Sequence, residues 1–288
     1  MTDVVTVFLQ HEGEILLLRR SEAVGTYQHQ WGGVSGYVEP ETDDPREDAE
    51  RELREEVGAV DATLRRRGDP LRVVDDENDR EWTVHPFRYD VPDRAVDPNE
   101  EVAEWEWVSP PAMLDRPCVP GLWATYRRVG PTVAAVAGDD RSGAAAISTR
   151  ALAVLRDAAA EAAHADALED PEWSSHDAVS DAARRLRDAH PEMAVVANRV
   201  NRVMATSEGL EDLAERPRTQ RHHHKDDHGH GEELPVDPAS GESCPHPLYG
   251  DENAEGQDRS RYRPPPSGAV GEEKDRNKSQ EPGHVPVA

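Results

Sequence analysis

The stretch that most constrains this chain runs from Trp31 to Gly58, WGGVSGYVEPETDDPREDAERELREEVG. It opens on Gly32, Gly33 and Gly36, residues that let backbone approach another group closely. Pro45 suits the first turn of a helix. Good helix formers follow as far as Val57, and Gly58 stands where a C′ glycine ends a helix. Ala49, Leu53 and Val57 recur every four residues and form one apolar stripe. Glu52, Glu55 and Glu56 share a neighbouring face, with Asp48 beside them. Like charges at this spacing cost an isolated helix about 0.2–0.5 kcal/mol per pair. A hard divalent cation offsets that cost, and Mg2+ takes carboxylate oxygens, water and substrate phosphates as ligands. The alternative is a solvated acidic face, since 59 of the 288 residues are Asp or Glu.

The run Arg51-Glu52-Leu53-Arg54-Glu55-Glu56-Val57-Gly58 after a glycine turn resembles the Nudix box. Its second half agrees at every defined position. Its first half departs: counting back from Arg51, the spaced glutamate falls on Asp43 and the leading glycine on Tyr37. Gly36 fits with one residue inserted. In the family the spaced glutamate helps to hold the helix arginine, a role that falls here to Asp43, or to Glu41 with a shifted loop. The resemblance covers about residues 1–116 and implies an α/β fold, a Nudix α/β/α sandwich with a mixed sheet. It implies an enzyme acting on phosphoric anhydride bonds. Arg51, Glu52 and Glu55 would be catalytic. Glu52, Glu55 and Glu56, with the Ser35 carbonyl, would hold Mg2+, with Mn2+ as the alternative. The partner would be a small nucleotide-type substrate.

Around this stretch, Val4–Leu9 and Glu14–Arg19 read as paired buried strands across His11-Glu12-Gly13. Residues 60–67, 71–74 and 81–89 read as further strands, and 104–108 alternates as another. Arg20, Trp31 and Gly36 are the candidate substrate contacts. Arg19 and Arg20 either meet a phosphate or form a solvated pair, and Trp31 either stacks on a base or caps the core. Glu100, Glu101 and Glu104, just before the last strand, are candidates for the general base that the family sometimes places there.

The net charge is −26, and no lysine precedes Lys225. That acidic, lysine-poor composition resembles proteins of haloarchaeal type, from a salt-accumulating cytoplasm. It opposes nucleic-acid binding, because phosphate backbone is repelled. Cys118 and Cys244 form no CxxC pattern, so neither a disulfide framework nor a zinc site is expected. No apolar stretch reaches the roughly 20 residues that span a bilayer. A cytoplasmic protein without a membrane partner is expected.

Past residue 120 the character changes. Alanine and arginine dominate, and helices are expected over 121–129, 144–167, 177–189 and 193–204. The phrases Ser142–Ile147 with Ala151–Leu155, and Ala189–Met204, are similar to the N-terminal helical part of the translation initiation factor 2B alpha/beta/delta family. That resemblance spans about 121–205. It implies a second reading, a regulatory or binding protein with a non-hydrolysing Nudix nucleotide sensor. The family's α/β domain, which carries the isomerases' catalytic residues, has no counterpart pattern after Leu213. The helical part offers a surface for a homodimer. The expected division is therefore a catalytic domain over 1–120, a helical domain over 121–213 and a tail over 214–288. The tail is rich in Pro, Gly, His and charge and is expected to be disordered. His222, His223, His224, His228 and His230 within it are an adventitious metal site at most. All three lysines arrive there, as a segment translated out of an ancestral frame would show.

Overall fold

The computed structural model describes residues 2–76 and 78–215, all within one compact unit. The tail's expected disorder and its histidine cluster lie outside the described residues, apart from the last residues of the chain before 216.

Two long strands start the sheet, β1 (Thr2–His11) and β2 (Glu14–Arg20), joined by a tight turn at Glu12-Gly13. β3 (Trp31–Gly32) and β4 (Val34–Tyr37) follow the polar loop. Then come α1 (Pro45–Glu56), β5 (Thr63–Arg67), β6 (Leu71–Asp75), β7 (Arg80–Asp90) and β8 (Val102–Val108). The sheet is mixed: β1 runs parallel to β7, while every other pairing among these strands is antiparallel. Pro86 sits inside β7, where an N–H would normally be needed. It falls at the change of partner, since β6 pairs with residues 80–84 of β7 and β5 with residues 87–90.

Alternation along β1 and β2 sends side chains to two separate cores. Val5, Val7, Leu9, Leu16 and Leu18 meet Ala49, Leu53 and Val57 of the α1 stripe on one face. Phe8, Ile15 and Leu17 meet Met113, Leu122, Trp123, Tyr126 and Val129 on the other. The second face is closed by a 3-10 turn (Pro110–Met113) and by α2 (Leu122–Val129). Helix, sheet and helix make the sandwich expected from the sequence. α1 begins on Asp44, whose carboxylate accepts from the Arg46 N–H at 3.1 Å, and Gly58 ends it in the left-handed region at φ +81°.

The remaining helices are α3 (Val133–Ala137), α4 (Ala144–Ala163), α5 (His176–Asp188) and α6 (Ala194–Thr206). They enclose their own core around Ile147, Leu155, Val179, Leu186, Val200 and Val203. α4 ends four residues before the expected 167, and the 3-10 turn Ala165–Ala167 completes that stretch. α3 and the two short strands β3 and β4 were not legible as elements, being too short to show a period.

α4 also lies against α2. Trp123 donates its Nε1–H to Glu161 at 3.3 Å, and Arg127 pairs with the same carboxylate at 2.9 Å. The Tyr126 hydroxyl donates to Asp157 at 3.0 Å, and Arg156 pairs with Asp157 at 2.6 Å. Arg156, Asp157 and Glu161 are all buried. The apolar faces of the helical part are thus covered by their own core, and this polar seam joins α4 to α2.

Candidate active site

α1 carries its glutamates along the edge of the sheet beside β4. Arg51 lies among them. Its guanidinium is 2.8 Å from Glu52, 3.1 Å from Glu55 and 3.0 Å from Asp48, and Nε is 3.6 Å from Glu39. Nη2 also donates to the Tyr37 carbonyl at 3.2 Å. The spaced acid that holds the helix arginine is therefore Glu39, four residues before Asp43, and neither Asp43 nor Glu41 takes that part. Backward counting along the sequence does not anticipate which acid the loop between β4 and α1 brings to Arg51. Asp48, nearly fully buried, completes the arrangement by accepting from the Glu39 N–H at 3.4 Å.

Gly36 explains itself by what a side chain there would strike. A Cβ would lie 1.9 Å from Glu52 Oε1 and 2.0 Å from its carboxyl carbon. Gly36 is the gap that admits the Glu52 carboxylate. It touches this glutamate, whereas the sequence offered it as a substrate contact.

Glu56 is buried and accepts from the Ser35 N–H at 3.2 Å. Burial pushes its carboxyl up to about 8, against the smaller opposing effect of the Ser35 hydrogen bond. Glu52 is raised by burial too, with Arg51 pulling the other way. In an extended strand the N–H and C=O of one residue point to the same edge. The Ser35 carbonyl therefore lies on the edge that faces Glu56.

Arg20 reaches the same place from β2. Nε donates to the Thr26 carbonyl at 3.0 Å and Nη1 to the Ser35 hydroxyl at 3.5 Å. Its charge favours the ionised form of Glu56. Arg19, by contrast, turns outward and pairs with Glu104 at 3.2 Å. Trp31 belongs to the second core: its ring is 8% exposed, and Arg116 stacks over it at 4.9 Å. The structure does not bring it together with the carboxylates. Of the three acids before β8, Glu104 is tied to Arg19, whereas Glu101 is near enough to raise both Glu52 and Glu56.

Five carboxylates, Glu39, Asp48, Glu52, Glu55 and Glu56, here face two guanidiniums, Arg20 and Arg51. Among the described residues no three side chains of His, Cys, Asp or Glu are already drawn together as a ligand set. Arg51 accounts for this by drawing Glu52 and Glu55 to itself. The donor set still fits a hard cation: it is all oxygen, it carries surplus negative charge, and the Gly36 gap keeps room for Glu52.

Residues 1–129 match the family model described as the NUDIX domain. This part of the chain is a Nudix domain. A search of curated proteins gives no match. Similar solved structures include the ORF135 protein of E. coli, 25% identical over 50% of this chain and 95% of its own, with a TM-score of 0.36. The MutT protein of Methanosarcina mazei Go1 is 24% identical over 44% of this chain and 91% of its own, TM-score 0.37. The NUDIX domain of Shewanella oneidensis NrtR, solved with ADP ribose, is 13% identical over 45% and 86%, TM-score 0.38.

Proposed function

We propose that the Nudix domain is a Mg2+-dependent pyrophosphohydrolase that cleaves a nucleoside diphosphate linked to another moiety. Water attacks one phosphorus of the anhydride. A new P–O bond forms, the bridging oxygen leaves with the bonding electrons, and a mononucleotide and a phosphorylated remainder result. The observation that carries this reading is the under-compensated carboxylate cluster around the Gly36 gap.

Glu52, Glu55 and Glu56, with the Ser35 carbonyl, would hold Mg2+, and Mn2+ suits the same oxygens. The ion would supply positive charge against the phosphoryl oxygens and lower the pKa of the attacking water. Arg51 orients Glu52 and Glu55 and is itself fixed by Glu39, Asp48 and the Tyr37 carbonyl. Arg20, whose hydrogen bonds go to the Thr26 carbonyl and the Ser35 hydroxyl and not to a carboxylate, would meet a substrate phosphate. Of Glu100, Glu101 and Glu104, Glu101 would take the proton from water, a reading supported by its charge acting on Glu52 and Glu56. The test is turnover of a panel of nucleoside diphosphate derivatives by the full chain in Mg2+ and molar KCl. Turnover lost in Glu55→Gln, with the fold kept, supports the reading, and wild-type-like turnover in that variant removes the metal role.

The non-hydrolysing alternative rested on the broken first half of the box. Glu39 supplies the missing partner of Arg51, and this favours hydrolysis. The likeness of 121–205 to initiation factor 2B helices stays a proposal about ancestry, and the salt-rich, cytoplasmic setting a proposal from the −26 charge. No helix among the described residues is long and apolar enough to cross a membrane. Self-association through the helical part is read by light scattering, and a monomeric full chain would refute it.

A further inference from the structure

A cavity of about 430 Å³ lies where the end of β5, α2 and the segment after α4 meet. Arg66, Arg127 and Arg128 line it. Gly68 sets how closely β5 comes to α2: a Cβ there would lie 2.8 Å from Arg128 Cβ and 2.9 Å from the Arg128 carbonyl oxygen. That approach puts guanidiniums from two elements around one space. With 59 acids against 33 lysines and arginines, an arginine of this chain has carboxylates in plenty to pair with. Among the described residues neither Arg66 nor Arg128 forms an ion pair.

Donors are left over here. Arg66 Nη1 donates to the Gly130 carbonyl at 2.8 Å, and Arg88 Nη1 donates to the Val129 carbonyl at 3.0 Å. Those bonds answer carbonyls at the C-terminal end of α2. Arg66 makes no further hydrogen bond among the described residues. The Arg127 side chain is 10% exposed, and it reaches Glu161 at 2.9 Å and Glu172 at 2.6 Å over the face of Trp173. Its Nη1 is buried without an acceptor, as is Arg88 Nε. A buried N–H left so is costly. Burial lowers the Arg66 pKa, and the charges of Arg88 and Arg127 lower it further.

What this cluster lacks is an anion. A tetrahedral oxyanion brings several acceptor oxygens at once, and arginine meets phosphate with paired N–H groups. Asp69, Glu169 and Asp170, which also line the cavity, are exposed carboxylates and accept from hydroxyl groups. A phosphate carried on a hydroxyl-bearing molecule would therefore find partners of both kinds. The volume suits a small molecule. α1 packs on the other face of the sheet from α2, so this site is separate from the Glu52–Glu56 cluster.

We propose that this cavity binds a phosphate group, free or on a small hydroxyl-bearing molecule, between Arg66 and Arg127. The site stands whether or not α1 hydrolyses anything. The full chain, in a metal chelator and molar KCl, is titrated with inorganic phosphate and with glycerol 1-phosphate, followed by phosphorus nuclear magnetic resonance. The chelator keeps the α1 carboxylates from holding phosphate through a cation. Saturable binding of at least one probe is expected. Arg66→Gln and the exposed Arg128→Glu should each weaken it about tenfold or more, the worth of one charge-assisted hydrogen bond. Arg20→Gln, on the carboxylate side, should leave it unchanged. Tighter binding of glycerol 1-phosphate assigns the site to a phosphorylated compound, and equal or weaker binding assigns it to free phosphate. If Arg66→Gln does not fold, Arg128→Glu decides alone. No saturable binding by the wild type overturns the proposal, as does an affinity unchanged in the folded cavity variants. Binding lost in Arg20→Gln would overturn it too, since the anion would then sit beside α1.

Discussion

Two regions of this protein are built from the same residue types and behave oppositely. In the seam between α2 and α4, Arg156 has Asp157 and Arg127 has Glu161, while Tyr126, Trp123 and the backbone N–H groups of Glu172 and Trp173 donate to the carboxylates. Every buried carboxylate there has a cation and a further donor. At α1 one arginine is shared among Glu39, Asp48, Glu52 and Glu55, and Glu56 has only a backbone N–H and the distant charge of Arg20. Matched pairing makes structure. Surplus charge kept beside a gap suits the cation proposed above.

The strongest way to break that contrast is to unmatch the seam. Asp157→Leu strands the buried Arg156 and should cost about 3–5 kcal/mol, read by denaturant unfolding. Adding Arg156→Leu should restore most of it, because a buried pair replaced as a whole is close to neutral. If the single variant is as stable as the wild type, the seam is not structural.

At α1 the same kind of change should spare the fold and take the activity. Glu55→Gln should lower Mg2+-dependent turnover by about a hundredfold or more, since even residues that only support metal ligands matter by about 10–100-fold. Its thermal melt should stay at or above that of the wild type, because one of several crowded negative charges has gone.

Glu56 sharpens the comparison through pH. Its folded pKa of about 8 lies above the ordinary 4.5. The folded state therefore keeps a proton that the unfolded chain has lost between those values, and metal-free stability falls as pH rises through that window. Glu56→Gln should abolish this slope, worth on the order of 2 kcal/mol after allowing for water entry. Parallel melts of wild type and variant from pH 5 to pH 8 in a chelator check it, and identical slopes would contradict it.

A smaller effect is expected at Gly36. Gly36→Ala directs a methyl group at the flexible end of Glu52, which can swing away. The fold should survive, and the Mg2+ concentration needed for half-maximal turnover should rise about tenfold, comparable to the loss of a supporting residue. An unchanged Mg2+ dependence would show that Glu52 is not held through that gap.

Sequence periodicity was enough for the long strands, for α1 from Pro45 onward and for the helices after Gly121, because each repeats its apolar spacing over two turns or more. It failed at β3 and β4, two and four residues long, and at α3, five residues long. The glutamate face of α1 was legible because helix geometry fixes which residues share a side. Glu39 was not, because its approach to Arg51 depends on the path of the loop between β4 and α1, which sequence spacing does not fix. Trp31 shows the converse limit: an aromatic beside a glycine turn reads equally well as a stacking platform or as core, and only the alternation of β2 and β3 sends it to the core. Arg66 and Arg127 lie on separate elements, and nothing in their local patterns announces that they line one cavity.

The central claim, that α1 keeps surplus carboxylate for a cation while the seam spends its own on structure, is tested most directly by Mn2+ binding. Electron paramagnetic resonance titration of the full chain in molar KCl would compare wild type, Glu52→Gln, Glu55→Gln and the seam variant Glu161→Gln, each checked for native circular dichroism. The account predicts saturable binding by the wild type, a weakening of about tenfold or more in Glu52→Gln and Glu55→Gln, and wild-type affinity in Glu161→Gln. Wild-type affinity in both α1 variants, or no saturable binding by the wild type, would contradict it.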